Sequence, residues 1–409
     1  MREEAVSMEE AVIVDYLRSP FSRARPGEPE RDIFNSLRMD DVAAMLVKEL
    51  IKRTGVKPEE ISDVLVGTAM PMGEQWVYGG RMITFLAGLP FTVPAQQIDR
   101  QCGSSMSTIH QGAMEIMLGY SDLVISCGIE HMTHNPMLAP GVDLSKIMIS
   151  PNSRLFTEKE YKKYDIWTSV QMGLTAEKLF EQTDFSREDM DNWALGSHQK
   201  AAKALEEGFF TGEIMPVEVT MPDGTKKVID HDVSIRPDTS LEALADLEPP
   251  FKPDGQITAG NSAPMNDAAT AMIIMSREKA KEYRLKPLAK IVSMGWAGVD
   301  PTLMGLGPIP ASRIALKRAG LDVKDIDFWE INEAFAMVAI NTIEEMGIDP
   351  AKVNVKGGAI AIGHPLGATG TRLVGTLARI LAWENGRLGL ATACVGGGQG
   401  IATIIERES

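Results

Sequence analysis

The stretch DRQCGSSMSTIHQGAMEIMLGYSDLVISCGIEH, residues 99–131, places Cys102 between a polar strand end and an amphipathic helix. Gly103, Ser104 and Ser105 follow it, so the thiol stands at a predicted helix N-terminus, where unpaired N–H groups and the helix dipole lower a thiol's pKa. That setting suits a thiolate nucleophile. It suits equally a small buried hydrophobe that happens to precede a helix. Three other stretches carry residues that such a nucleophile would need. EINEAFA (330–336) puts Asn332 and Glu333 directly after an apolar strand. GGAIAIGHPLGATGTR (357–372) surrounds His364 with glycines and a proline, which allows close backbone approach around a fixed ring. ATACVGGGQG (391–400) ends a strand in Cys394 followed by three glycines, so backbone N–H groups there can point at a ligand oxygen. Each stretch has a plainer reading as a turn. Together, strand-end Cys, strand-end Asn, loop His and second strand-end Cys are the parts of thiol-based acyl transfer: nucleophile, orienter, base and second acid/base. Metal binding competes through His131-x-x-His134, but neither a cysteine pair nor a helical His-Glu spacing accompanies it, and no metal is expected.

The remaining chemistry-bearing residues have structural readings. Cys127 reads as a buried core thiol. His110, His131 and His134 read as packing or pocket-wall residues, and His198 and His231 as surface residues.

The chain that must position these groups has 409 residues, 44% hydrophobic, with a net charge of −15. It can build substantial cores, and its acidity argues against a nucleic-acid or anionic-membrane surface while leaving room for a local basic pocket. Three cysteines in so long a chain are no disulfide framework, which points to a reducing compartment. The acidic start MREEAVSMEE resembles neither a signal nor a transit peptide, no apolar run is long enough to span a membrane, and ERES is no peroxisomal address. A cytoplasmic protein is expected.

Short apolar runs alternate with amphipathic helical stretches, which reads as α/β. AVIVDYL and ISDVLVGTA are predicted strands, and DDVAAMLVKELIKRTG a helix closed by Gly55. The unit then returns. ASRIALKRAGLDVKDIDFWEINEAF repeats the helix–Gly–x₅–Ile–strand pattern of MLVKELIKRTGVKPEEISDVLVGTAMP, with Gly67 opposite Asn332. SDLVISCG is echoed by LGLATACVG, with Cys127 opposite Cys394 after a shift of two residues. Two α/β halves follow, beginning near Ala11 and Pro287. Between them, residues 132–263 are irregular, rich in Pro and polar residues, and suited to a lid or ligand wall. The expected organisation is residues 1–131 with 264–286 as the first half, 132–263 as a loop domain, and 287–409 as the second half.

The motifs CGSSMSTIH, GIEHMTHNPM, MGLTAEKL, IRPDTSLEALADLEPPF, ITAGNSAPMNDAATAM, INEAFA, GGAIAIGHPLGATGTR and CVGGGQG occur in thiolase order over nearly the whole chain. The sequence resembles the thiolases, and most the degradative 3-ketoacyl-CoA thiolases of fatty-acid oxidation complexes. The resemblance implies an α/β thiolase fold: two duplicated βαβαβαββ halves in a five-layer α-β-α-β-α arrangement with an inserted loop domain. It implies Cys102 as the acylated nucleophile, His364 as its base and Cys394 as the second acid/base. Asn332 would hold a water that forms one oxyanion hole with His364, and the N–H groups of Cys102 and Gly396 would form the other. Coenzyme A is then a co-substrate, with no tightly bound cofactor, and the resemblance suggests Arg236, Phe251 and Ala259 for it, with Met172, Met265 and Phe335 near the pantetheine. A homodimer or homotetramer is implied, together with a hydratase/dehydrogenase partner. Two positions depart from the pattern. Ala263, beside Ser262, stands where many thiolases have a pantetheine-contacting serine, and Gln171 stands where the biosynthetic type tends to have a histidine. The second departure favours degradative over biosynthetic use.

Three other functions compete: an acetyl-CoA acetyltransferase with the same chemistry on short substrates, a condensing synthase, and a non-catalytic subunit of an oxidation complex. Cys394 before the glycine triplet speaks against the synthase, and retention of all four site residues against the inert subunit. For longer acyl chains, Met137, Leu138, Ile147, Met148 and Ile149 are candidates for a channel wall.

Overall fold

The computed structural model describes residues 8–137 and 152–408. Leu138, Ile147, Met148 and Ile149 lie outside the described residues. The first half runs β1 (Ala11–Arg18), α1 (Met39–Thr54), β2 (Asp63–Gly67), α2 (Gly79–Leu86), β3 (Ala95–Ile98), α3 (Ser104–Met117) and β4 (Leu123–His131). The chain then departs through α4 (Arg154–Thr157), α5 (Ile166–Ser169), α6 (Met172–Phe180), α7 (Arg187–Glu206), β5 (Val217–Thr220), β6 (Lys226–Ile229) and α8 (Leu241–Ala245). It returns as β7 (Asp267–Ser276), followed by α9 (Arg277–Glu282). The second half runs β8 (Ala289–Gly298), α10 (Pro308–Ala319), β9 (Phe328–Ile331), α11 (Ala336–Met346), α12 (Ala359–Ile362), α13 (Leu366–Trp383), β10 (Leu388–Val395) and β11 (Gln399–Arg407).

The internal repeat is present in three dimensions. Helices α1 and α10 both end on a left-handed glycine, Gly55 at φ 67° and Gly320 at φ 68°. Asp63 pairs with Val124 and Phe328 with Gly389, so the two parallel ladders share one register. By that register Cys127 corresponds to Thr392, and Cys394 lies two residues further toward the strand end. This is the physical content of the two-residue shift: same face, but only Cys394 reaches past the ladder. The duplication is imperfect in one place. The third strand of the second half is reduced to a single bridge, Trp329 with Val353.

Strand order is β3-β2-β4-β7-β1-β8-β11-β10-β9. The two halves, expected as separate sheets, are joined by a short antiparallel pairing of Val12 and Ile13 in β1 with Lys290 and Ala289 in β8. Side-chain alternation sorts the layers. Val124, Met272 and Ile274 from the first half share one core with Ala391, Ala393 and Ile401 from the second, filled by Met106 and Ile109 of α3 and Leu373 and Val374 of α13. The opposite faces of the same strands (Ile125, Ile273; Leu390, Ile404) pack on α1 and α10 in two outer cores. Five layers result, α-β-α-β-α, each fully buried Leu, Ile or Met contributing roughly 1.5–3 kcal/mol. The central helices touch at backbone distance: a Cβ on Gly370 would lie 2.1 Å from the Met106 nitrogen. That contact sets the N-termini of α3 and α13 side by side, and both carry site residues.

The departure from the first half packs on the second. Ala176 and Leu179 of α6 and Met190 and Ala194 of α7 share a core with Met337 and Val338 of α11, Ile360 of α12 and Cys394. Its base is tied by a buried polar cluster. Asp267 accepts from the backbone N–H of Thr133 at 3.0 Å and sits 3.2 Å from His131 Nδ1, while the Thr133 hydroxyl bonds Asp32 at 2.8 Å. No helix of the described residues is long and apolar enough to cross a membrane.

Candidate active site

Cys102 lies in a single 3₁₀ turn, Gln101–Gly103, that leads directly into α3. Gln101 before it holds φ 46°, a left-handed conformation costly for a side chain that large. The turn is held by Ser104, whose hydroxyl donates to Gln101 O at 2.6 Å and accepts from Arg100 N at 2.9 Å. The thiol is buried among Ala24, Ala69, Met132 and Leu366, with Met137 and Met265 packed against them. The backbone N–H groups of Gly396 and of Cys102 itself lie near its sulfur and act to favour the thiolate, as expected at this helix start. Burial outweighs them and, with Glu130 and Asp99 nearby, pushes the Cys102 thiol up to about 12. The expected lowering is therefore reversed: Cys102 rests as a thiol.

His364 sits at the start of α13. Its backbone N–H donates to Asn266 Oδ1 at 2.7 Å. Gly363 before it has φ 126°, and a Cβ there would lie 2.7 Å from the Asn266 side chain, so only glycine fits. Thr369 settles the ring's tautomer. Its hydroxyl has Pro365 O as acceptor at 2.9 Å and then accepts from His364 Nδ1 at 2.7 Å, and with the Asn332 amide N–H at Nε2 this network puts the ring proton on Nδ1. Nε2 is left with a lone pair, 3.3 Å from Asn332 Nδ2. Burial, aided by the positive Arg372, lowers the imidazole to about 3, so His364 is neutral. Arg372 is itself buried against Glu330 at 2.6 Å. Asn332 follows β9, its N–H bonded to Thr392 O at 2.9 Å, and its buried Oδ1 has no protein partner among the described residues, as a group that holds a water would.

Cys394 ends β10, opposite Gly400 in the ladder, and is fully buried. Burial raises its thiol well above the ordinary range, and the neighbouring Cys102 raises it further. Gly397 and Gly398 turn the chain at φ 78° and 74°, which leaves the Gly396 N–H aimed at Cys102. The structure thus brings Cys102, His364, Asn332, Cys394 and Gly396 to one buried place from four segments. Cys127 faces away, into the core under α1.

The thiolase N-terminal domain model matches residues 11–278 and the thiolase C-terminal domain model residues 285–407. The chain belongs to the thiolase family. It is 43% identical to the 3-ketoacyl-CoA thiolase of Marinomonas sp., over 97% of this chain and 98% of that one. It is 44% identical to that of Bacillus subtilis, over 98% and 100%. Among solved structures, human mitochondrial 3-ketoacyl-CoA thiolase matches with a TM-score of 0.87 at 34% identity, over 98% of this chain and 100% of that chain. The Bacillus anthracis acetyl-CoA acetyltransferase matches with 0.86 at 35%, over 99% and 100%.

The residues that the thiolase resemblance suggests for coenzyme A fall into three groups. Arg236 and Ala259 line one surface cleft. Phe251 and Phe335 meet edge to face at 6.3 Å and, with Met172, border the core that holds Cys394. Met265 borders the Cys102 cluster. Ser262, beside the departing Ala263, spends its hydroxyl on Thr258 O at 2.6 Å. Gln171 starts α6 and donates to Trp167 O at 3.2 Å.

Several histidines and supports read differently in three dimensions. His198, expected on the surface, is 6% exposed, and its Nδ1 accepts from the Arg236 backbone at 3.2 Å. His131 lies with Asp32 and Asp267 in a fully buried triplet, stacked at 3.6 Å on His134. His110 bonds Thr403 at 2.8 Å. Sequence reasoning passed over Thr369, Asn266 and the buried Glu130, and singled out Glu333 beside Asn332 without giving it a role. Glu130 accepts from Ala69 N, Gln75 Nε2 and Gly367 N at 2.6–2.9 Å and ties the Cys102 pocket to α13. Glu333 accepts from Trp193, Ser197, Asn354 and Ile360 and fixes the loop that carries Asn332. Both stand inside the motifs that drew attention to the site, and that adjacency was their only signal.

Proposed function

We propose that this chain is a 3-ketoacyl-CoA thiolase: it cleaves 3-ketoacyl-CoA with CoA to acetyl-CoA and a shortened acyl-CoA, through an acyl group on Cys102. The observation that carries the reading is the convergence of a Cys102 sulfur faced by the Gly396 N–H with a neutral His364 whose free Nε2 neighbours Asn332. Curated relatives of the same length, named 3-ketoacyl-CoA thiolase, support the substrate class, and the human enzyme's structure with CoA supports the co-substrate.

The mechanism follows from the proton affinities. Cys102 is a thiol and His364 a weak base at rest, so a preformed ion pair is disfavoured, and His364 takes the proton as sulfur bonds to the C3 ketone. The oxygen of that adduct is held by the paired donors. The C2–C3 bond breaks, and its electrons leave as the acetyl-CoA enolate, which takes a proton from Cys394. The imidazolium, of low proton affinity, returns its proton to the Cys394 thiolate, of high affinity. His364 is then free to accept the proton of the incoming CoA thiol, whose sulfur takes the acyl group, and it returns that proton to the departing Cys102.

The reading includes a loop domain over residues 132–263, a role in fatty-acid β-oxidation, a cytoplasmic site and a homo-oligomer. The last is supported by β3, the terminal strand of the sheet, which is flanked by exposed Tyr78 and Phe91; a second copy would cover them, and light scattering would report a mass of two or four chains. Acetyl-CoA acetyltransferase is the second reading, favoured by the acetyltransferase neighbour. Met137, packed against the Cys102 cluster, favours the first, because it offers apolar wall next to the thiol that would carry the acyl group. Each further buried CH₂ contributes about 0.8 kcal/mol, roughly threefold to fourfold in kcat/KM. Thiolysis of six- and eight-carbon 3-ketoacyl-CoA at least as fast as that of acetoacetyl-CoA is expected. A steep preference for acetoacetyl-CoA would transfer the chain to the second reading.

A further inference from the structure

Arg236 shares its cleft, of about 180 Å³, with Arg23, a residue on the loop after β1 that no motif singled out. The other side chains lining the cleft are polar or apolar, among them Ser234, Thr239 and Leu244, and none is acidic. Arg25 and Arg31 lie near enough to act on Arg23 electrostatically, as Arg236 does. Arg31 is paired with Glu28. Arg23, Arg25 and Arg236 have no ion-pair partner among the described residues.

This is an anomaly on two counts. The chain has 56 acidic and 41 basic residues, so carboxylates are in excess. The arginines buried elsewhere obey the ordinary rule: Arg18 is paired with Glu213 and Asp232, and Arg372 with Glu330. Arg23 and Arg236 stand unpaired at the cleft, with Arg25 close enough to repel Arg23, and no carboxylate lines the cleft to balance them. Such an arrangement is stabilised when an anion enters, and guanidinium is the group best shaped to hold phosphate oxygens in pairs. The neighbouring His198 adds no competing charge. Its burial and the nearby Arg236 lower it to about 4, and its Nδ1 is engaged with the Arg236 backbone.

We propose that Arg23 is a specificity residue that contacts the nucleotide phosphates of coenzyme A and makes the enzyme discriminate CoA thioesters from pantetheine thioesters lacking them. The proposal rests on the CoA-dependent reading above and adds to it a residue and a basis for selectivity. Arg23 acts on the handle of the substrate and not on the reacting carbon, so its contribution belongs to binding.

The experiment compares acetoacetyl-CoA with acetoacetyl-pantetheine, each with its matching thiol acceptor, for the wild-type protein, Arg23→Gln and Arg23→Lys. In the wild type kcat/KM is expected to be far higher for the CoA pair. In Arg23→Gln the ratio of the two kcat/KM values falls about tenfold, the loss of one charge-assisted contact at a half-exposed site, through KM for CoA. Arg23→Lys recovers part of it, and raising salt from 50 to 500 mM narrows the gap between wild type and Arg23→Gln. A wild type indifferent to the nucleotide overturns the CoA reading itself. A wild type that discriminates, with Arg23→Gln keeping the same ratio or losing both substrates equally, overturns the role of Arg23 alone.

Discussion

Replacing Thr369 by valine keeps the volume of the side chain and removes one hydroxyl, and that hydroxyl decides which nitrogen of His364 is the base. In the native site the Thr369 oxygen accepts the Nδ1 proton at 2.7 Å because its own hydrogen is committed to Pro365 O at 2.9 Å. Without it, the productive tautomer leaves a fully buried N–H unpartnered, at a cost of about 1–3 kcal/mol. The ring escapes that cost by moving its proton to Nε2, where it faces Asn332 and can no longer accept from Cys102. Either way the base-competent form rises by that amount, and the acylation rate falls roughly 5- to 150-fold. KM stays within about twofold, because Thr369 touches the ring and not the substrate. Single-turnover acylation of Cys102 by acetyl-CoA isolates the step, and Thr369→Ser, which restores the hydroxyl, recovers most of the rate. Tm is measured alongside to exclude unfolding. An acylation rate for Thr369→Val within twofold of the wild type, with the fold intact, would refute the tautomer argument.

Three more outcomes follow from the same geometry. Cys102→Ser abolishes turnover and acyl labelling, whereas Cys127→Ser, in the core under α1, leaves both within about twofold; mass spectrometry of the trapped acyl peptide distinguishes them. Cys394→Ala accepts an acyl group from acyl-CoA but loses thiolytic cleavage and α-proton exchange of acetyl-CoA by several orders of magnitude, and normal exchange by NMR would assign the proton to another group. Stability declines as pH rises through neutrality. Asp32, beside Asp267 and raised by burial to about 7, and Glu130, also raised by burial to about 7, hold protons in the folded state that the unfolded chain has already released. Their contribution is complete below about pH 4 and gone above about pH 7–8, so Tm falls between pH 5 and 8, and Asp32→Asn flattens that slope. A Tm that rises over this range would contradict the assignment.

Local chemistry made much of this protein legible from its residues. The two halves were visible because Gly55 and Gly320 must both end a helix in the left-handed region, and because the strands after them share one apolar pattern. The four site side chains could be picked out because thiols, a loop imidazole and a glycine triplet are scarce and chemically specific. Their protonation states could not. A helix start acts on Cys102 over a few ångströms, while burial depends on Ala69, Met132 and Leu366, which reach the site from three other segments, and burial dominates. The tautomer of His364 required knowing that Thr369 spends its hydrogen on Pro365, and the placing of His198 required the return of the loop that carries Arg236. Nor does any spacing along the chain bring Arg23 to Arg236, some 213 residues apart. Residue type and short-range geometry are written in the sequence. Proximity between distant segments, and the dielectric it creates, is decided only when the two halves of the sheet close over α3 and α13.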